Sequence, residues 1–353
     1  LNIGFANLYR EQQQREKVNF EAVILAEFGR PVQDIFQRWD DIPFASGSIA
    51  HLFKATLLDG REVAIKIRRD DIEQRARRDF MLVKEYILPV LRRFSKAVDD
   101  FGLAHFENLF IGELDLVREA ANLGKFSEIF RDDPDILIPK LVPELSSENC
   151  LTMDYIEGCS LTAFLNKATD EEKVCVARAI LRLSFRSAFG FNLFKTDLYE
   201  SNFRFVDGKV VVLDFGRVQT IDRPIFDEHL FALWQTIYEP HQLKLPVPEA
   251  LKVVESQIQE LMERFVLVHH RLSEPASFIP DLNEFIDFIL AHAAIHTPMV
   301  SNVKPSDLDP LQLWQWLVFL MTRLDVKLHW IQEFKDLFER YLPDYQKDHE
   351  NKL

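Results

Sequence analysis

"KVVVLDFG", Lys209 to Gly216, sets four apolar residues in a row and follows them with an acid, an aromatic ring and a glycine. The apolar run reads as a buried strand, and a carboxylate at the end of such a strand is costly unless it has a partner to bind. Just upstream, "SNFRFVD" reads as a second strand, and Asp207-Gly208 between the two is a strong hairpin signal. Asp197 and Asn202 lie just before the hairpin, five residues apart in "DLYESN", and Asp214 lies just after it. A short hairpin folds its ends back toward each other, so these three oxygen-bearing side chains are expected to converge. Carboxylate and amide oxygens hold Mg²⁺ when phosphate oxygens complete its shell, and a further carboxylate nearby can position an attacking group.

The first part of the chain supplies a matching half. "SIAHLFKATL" and "REVAIKIR" flank Asp59-Gly60, a second Asp-Gly hairpin signal. Strand alternation puts Val63, Ile65 and Ile67 on one face and Ala64 and Lys66 on the other. An ammonium there can pair with the α- and β-phosphates of a nucleotide. Before it, "PFASGSIA" offers small residues, Ala45, Ser46, Gly47 and Ser48, past which backbone N–H groups can approach phosphates closely. A small-residue loop, a strand lysine, D-x-x-x-x-N, a hairpin and D-F-G, in that order, make up the pattern of a protein-kinase-like nucleotide site.

The remaining text bounds this reading. With 353 residues and 47% hydrophobic content, the chain can bury one large core or two lobes. Its 42 basic and 56 acidic residues give a net charge of −14, which repels a phosphate backbone and argues against nucleic acid as a partner. Cys150, Cys159 and Cys175 form no CxxC pair, which argues against a disulfide framework or a thiolate zinc site and fits a reducing compartment. Cys159 reads as a small filler. The longest uncharged run in the apolar C-terminal part, Phe288 to Val303, carries two histidines, a proline and an asparagine, so no transmembrane helix is expected. No signal peptide is visible in a chain that starts with Leu, and a cytoplasmic location is expected, with peripheral membrane association as an addition.

Along the chain, residues 1–40 read as an N-terminal helical extension that includes "LYREQQQREKV" and "FEAVILAEFG", the latter stopped by Gly29. Residues 41–157 read as a β-rich lobe that also carries helices, "MLVKEYILPVLRRF" and "GELDLVREAANLGKFSEIF", and a strand-like pair, "LIPKLVPEL" and "NCLTMDYI". Residues 158–353 read as a helical lobe interrupted only by the second hairpin. The fold class expected is therefore α+β, two-lobed and kinase-like, with a nucleotide in the cleft.

Four segments, "IPFASGSIAHLFKATLLDGREVAIKIRR", "GELDLVREAANLGKF", "LTMDYIEGCSL" and "KTDLYESNFRFVDGKVVVLDFG", resemble the UbiB/AarF/ADCK family of atypical kinase-like proteins, associated with ubiquinone and other prenyl-lipid metabolism. They span Ile42 to Gly216, in the family's order. The resemblance implies ATP and Mg²⁺ as cofactors, with Glu119 as partner of Lys66, Asn202 and Asp214 as metal ligands, Asp197 in the catalytic-loop position, and Asp154, Tyr155 and Ile156 at the hinge that contacts adenine. It also implies a prenyl lipid or a membrane surface as a further partner, and leaves the phosphoryl acceptor unnamed. The chain departs from the family at three places: Gly47 within the alanine-rich loop, "KTDLYESN" with Lys195 in place of a histidine, and no K-x-G-Q signature. "NIGF", Asn2 to Phe5, reads either as its degenerate remnant or as a coincidence.

Other features read more plainly. Arg61, Lys66, Arg68, Arg69, Arg75, Arg77 and Arg78 alternate with acids, as on a solvated face. His292 and His296, four apart, lack a third ligand, and His269-His270 is weaker still. The aromatic tail from Leu311 to Leu342 reads as packing within the helical lobe. Three functions follow: an ATP-using phosphotransferase or ATPase, a nucleotide-binding pseudokinase, or a lipid-binding accessory protein.

Overall fold

A computed structural model describes residues 18–238 and 323–345, except 48, 71, 88 and 90–110, together with 276–277, 313, 317, 320 and 321. The chain divides into two compact units. The first is drawn from Leu1–Asp132, Leu137–Gly158 and Val211–Arg217; the second from Asp133–Ile136, Cys159–Val210 and Val218–Leu353.

In the first unit, α1 (Phe20–Phe28) starts at Asn19, whose side chain accepts from the Ala22 N–H, and stops at Gly29. Gly29 takes φ 65°, and its N–H donates to the Leu25 carbonyl. The left-handed turn is one that glycine adopts without a Cβ penalty, as the sequence predicts. Strands β1 (Phe36–Trp39), β2 (Ala45–Ser46), β3 (Ala50–Leu57) and β4 (Glu62–Arg68) follow, then α2 (Ile72–Leu82), α3 (Leu116–Ile129), β5 (Ile136–Leu137), of which only Leu137 falls in this unit, and β6 (Cys150–Asp154). The main sheet runs β1-β3-β4-β6, with β2 also pairing β3, and all of these pairs are antiparallel.

Residues 36–39 correct the expectation of a purely helical stretch over 1–40. Phe36 is 2% exposed, and β1 closes one edge of the sheet while α1 packs Phe20 and Ile24 into the sheet's own core. That core joins them to Phe53, Val63, Ile65 and Ile67, the face that strand alternation assigns to burial. Each such side chain, fully buried, contributes about 2 kcal/mol against the entropy of ordering it.

The second unit contains α4 (Leu161–Leu165), α5 (Asp170–Phe185), β7 (Phe194–Lys195), β8 (Phe203–Val206), β10 (Val218–Gln219), α6 (Arg223–Tyr238), β11 (Ala276–Ser277), β12 (Lys327–Leu328) and α7 (Trp330–Tyr341). The division between units falls within β9 (Lys209–Val212). Thr169 and Glu172 form a reciprocal capping box that starts α5. Phe185 on α5 meets Phe338 on α7 edge-on at 5.0 Å, and Arg178 holds Glu333 with contacts down to 2.6 Å. The part of the aromatic tail that is described therefore packs within this unit, as expected. Two short pairings, β7 with β10 and β11 with β12, interrupt what the sequence reads as helix.

The two Asp-Gly hairpins form, through different turns. Between β3 and β4 the Leu57 N–H donates to the Arg61 carbonyl at 2.9 Å, enclosing Leu58, Asp59 and Gly60, with Gly60 at φ 88°. Between β8 and β9, Asp207 and Gly208 both take positive φ, 49° and 74°, the two-residue turn whose twist suits a hairpin.

Candidate functional site

Strand β4 carries Lys66 opposite Leu52 of β3 and Leu151 of β6, so the side chain leaves a central strand and is 6% exposed. A buried ammonium needs counter-charge. Its Nζ donates to Glu119 Oε1 and Oε2 at 2.9 and 2.8 Å and to Asp214 Oδ2 at 3.4 Å. Burial by itself pushes the Lys66 pKa down, but the charges of Asp214 and Glu119 outweigh it and hold the ammonium above its ordinary value. Burial also pushes the Glu119 carboxyl up, and Asp214 adds to this while Lys66 pulls the other way.

Asp214 adopts φ 59°, a left-handed backbone that Asp tolerates better than most residues. Its Oδ1 accepts from the Gly216 N–H at 3.0 Å, and its side chain remains 40% exposed. A Cβ on Gly216 would stand 3.3 Å from Asp214 Oδ1, tighter than an ordinary contact. Glycine at the third position of D-F-G therefore makes room for the carboxylate itself.

Helix α3 brings more than Glu119 to this turn. Glu119 Oε1 accepts from the Phe215 N–H at 3.4 Å, Asn122 Nδ2 donates to the Phe215 carbonyl at 3.1 Å, and Arg118 donates to the Gly216 carbonyl at 2.9 Å. Phe126 and Phe215 pack with ring centroids 5.1 Å apart. Sequence reasoning singles out Glu119 and passes over Arg118 and Asn122; the available signal is spacing, since 118 and 122 are one helical turn apart.

The second unit brings Asp197 and Asn202 together. Asn202 Nδ2 donates to Asp197 Oδ2 at 2.8 Å and to the Asp197 carbonyl at 3.0 Å. With its amide nitrogen turned to Asp197, Asn202 presents Oδ1 as its remaining oxygen, near Ser201 Oγ at 3.5 Å. Lys195, the residue that stands where the family has a histidine, is 1% exposed and donates from Nζ to Asp197 Oδ1 at 2.7 Å. The lysine thus sets its Nζ directly against the Asp197 carboxylate.

The remaining candidates make contacts of their own. Ala45 and Ser46 form β2, the Gly47 N–H donates to the Ala50 carbonyl at 2.8 Å, and the Gly47 carbonyl accepts from Arg69. Gly47 therefore serves a hairpin turn with its N–H committed, and Ser48 lies outside the described residues. At the end of β6 the Asp154 N–H donates to the Lys140 carbonyl and the Tyr155 N–H to the Glu62 carbonyl, both at 2.9 Å. Of the three hinge candidates these two have spent their N–H groups on the sheet, and Ile156 follows them. The Tyr155 ring lies under Lys54 Nζ at 4.1 Å and meets Phe44 edge-on at 5.7 Å.

Cys159 is exposed, so it is no core filler; its backbone instead bridges to Phe205. In the basic run, Arg61 pairs with Asp59 and Arg77 with Glu73 at exposed positions, but Lys66 is buried and Arg68 and Arg69 are half-buried, so the solvated face expected holds for only part of the run. The four histidines, the N-terminal "NIGF" and the Phe288–Val303 run lie outside the described residues. Among the described residues no helix is long and apolar enough to cross a membrane, and no group of three or more His, Cys, Asp or Glu side chains is placed to hold a metal.

Similarity to known proteins agrees with this geometry. The chain is 28% identical over 232 residues to a probable protein kinase UbiB of Xylella fastidiosa, covering 61% of this chain and 42% of that protein. It is 30% identical over 203 residues to the atypical kinase COQ8, mitochondrial, of Saccharomyces cerevisiae, covering 56% of this chain and 39% of that one. The aligned region thus spans less than half the length of these two relatives. The fold matches that of Rv3197 from Mycobacterium tuberculosis, solved with erythromycin, at a TM-score of 0.62 and 20% identity over 96% of this chain and 87% of that one. Residues 8–245 match the ABC1 atypical kinase-like domain, and the chain belongs to that family.

Proposed function

We propose that the chain binds Mg-ATP and uses it for phosphoryl transfer or hydrolysis. The observation that supports this most is the buried Lys66–Glu119 pair with Asp214 beside it, since a paired, charged lysine next to a partly exposed carboxylate suits a nucleotide's phosphates and their metal. Lys66 would hold phosphate oxygens, with Glu119 fixing its direction. Asp214 would supply oxygen to Mg²⁺, a hard cation that keeps few protein ligands when phosphate provides the rest, and Asn202 is the second ligand that the family resemblance implies. Bound there, the metal would neutralise phosphate charge and align the nucleotide. Asp197 would orient the acceptor hydroxyl or a water molecule, and Ile156 would be the hinge position to meet the base.

A second reading, nucleotide binding without transfer, is favoured by one observation. Lys195 Nζ donates to Asp197 Oδ1 at 2.7 Å inside the protein, so one oxygen of that carboxylate is already committed to a neighbour of its own chain. ATP turnover without an added acceptor, measured on the wild type and on Asp197→Asn, separates the two. Turnover lost in the variant supports transfer chemistry, and binding with no turnover in either supports the pseudokinase. The family's association with ubiquinone suggests a prenyl lipid or membrane surface as partner; mass spectrometry of lipid that co-purifies, and flotation with vesicles, test this part of the proposal.

A further inference from the structure

We infer that Arg118 and Asn122 are positioning residues for the metal-binding carboxylate Asp214, acting through the backbone of Phe215 and Gly216. The inference deepens the Mg-nucleotide reading above and rests on it. Asp214 itself sits in a left-handed conformation at φ 59°, and such a residue stays there only when its surroundings fix it. Three side chains from one face of α3 do so: Glu119 accepts from the Phe215 N–H, Asn122 donates to the Phe215 carbonyl, and Arg118 donates to the Gly216 carbonyl. The same guanidinium group donates to the Gly112 carbonyl at 3.0 Å, so Arg118 ties the turn to the start of the helix as well as to its face.

The clamp is built to be rigid. Asn122 is 5% exposed and Phe215 1%, and the Phe126–Phe215 contact fills the space beneath them. Arg217, next in sequence, pairs with Glu113 just before α3, adding a fourth tether from the same segment. Because Lys66 bridges Glu119 and Asp214, the helix, the lysine and the D-F-G turn form one hydrogen-bonded body within this unit. The carboxylate is then held ready for metal before any ligand arrives. Neither Arg118 nor Asn122 is placed to touch nucleotide or metal in this scheme; their effect passes through Asp214.

The test uses the full chain with a fluorescent ATP analogue, titrated in Mg²⁺ and again in chelator, for wild type, Asn122→Ala, Arg118→Ala and Arg118→Lys. Thermal midpoints confirm that each variant is folded. Residues that support a metal ligand from outside its shell typically cost about 10- to 100-fold in metal affinity when removed. Asn122→Ala and Arg118→Ala should therefore lose at least about tenfold of the Mg²⁺-dependent affinity while the affinity in chelator stays the same. Arg118→Lys, which keeps the charge but reaches only one of the two carbonyls, should fall between. Equal losses with and without Mg²⁺, or no loss in folded variants, would overturn the positioning role and leave the nucleotide reading standing. If the wild type itself shows no Mg²⁺-dependent affinity, the nucleotide reading fails and the inference falls with it. Hydrogen exchange at residues 213–217 gives a readout free of ligand: slow in the wild type and faster in both alanine variants if the clamp holds, unchanged if it does not.

Discussion

Replacing Lys195 by Met gives the sharpest test of how Asp197 is held. The side chains of Lys195 and Asp197 are 1% and 5% exposed and touch at 2.7 Å, so the substitution removes the ammonium and leaves a buried carboxylate facing a thioether. Breaking one side of a buried ion pair typically costs about 3–5 kcal/mol, most of it the penalty of the stranded charge rather than the worth of the pair. For a chain of this size that corresponds to a fall in thermal midpoint of about 4–7 degrees. Asp197 keeps the Asn202 amide, which places the expectation toward the lower end of the range. Pairing the change with Asp197→Asn removes the charge as well, and the double variant should be more stable than Lys195→Met alone, with a coupling of at least about 1 kcal/mol in the cycle. Thermal and urea unfolding followed by circular dichroism both read this out. A midpoint for Lys195→Met within a degree of the wild type would refute the reasoning, because the pair would then not be a buried charge contact.

Three further outcomes follow from the geometry. Gly216→Ala puts a methyl group 3.3 Å from Asp214 Oδ1 and should weaken Mg²⁺-dependent nucleotide binding more than binding in chelator, as measured by titration. Glu119→Gln keeps the shape of the α3 side chain but removes the charge that faces Lys66, and should lower nucleotide affinity by about tenfold or more if the lysine loses its direction. Asp133 is buried, and although burial opposes it, two bonds from Arg182 hold its carboxyl below the ordinary value. A depressed carboxyl adds stability that is present above the unfolded value near pH 4 and is lost as pH falls through the folded one. Asp133→Asn should therefore reduce stability at pH 7 and flatten its decline below pH 4 in acid unfolding.

Much of the site is legible in the sequence because its parts are local or carry their own turn chemistry. Asp59-Gly60 and Asp207-Gly208 mark their hairpins by the need for positive φ, and alternation on β4 assigns Lys66 to the face away from the Val63–Ile67 core. The Lys66–Glu119 bond spans 53 positions and comes from resemblance, since no spacing rule reaches that far. What escapes a reading of the sequence is equally physical. Strand β1 has four residues with only Phe36 fully buried, too short for periodicity to separate it from a loop. The pairing of β7 with β10 involves two residues on each side and depends on chain segments far apart. Lys195 stands out as a departure, yet its burial against Asp197 could be known only once β7 sets the residue inside. Arg118 and Asn122 look like ordinary helix polars until the D-F-G backbone is placed against them.

The central claim, that Asp214 takes part in binding Mg-nucleotide, is tested most directly by thermal unfolding of the wild type and Asp214→Asn with Mg-ATP and with ATP plus chelator. Asn is the substitution of choice because it also tolerates the left-handed backbone at φ 59°, so loss of binding would report the lost charge rather than a strained turn. At 100 times its dissociation constant a ligand stabilises the native state by about 2.7 kcal/mol, a shift of several degrees. The account predicts that shift for the wild type with Mg-ATP only, and none for Asp214→Asn. An equal shift in the variant, or no shift in the wild type at millimolar nucleotide, would contradict it.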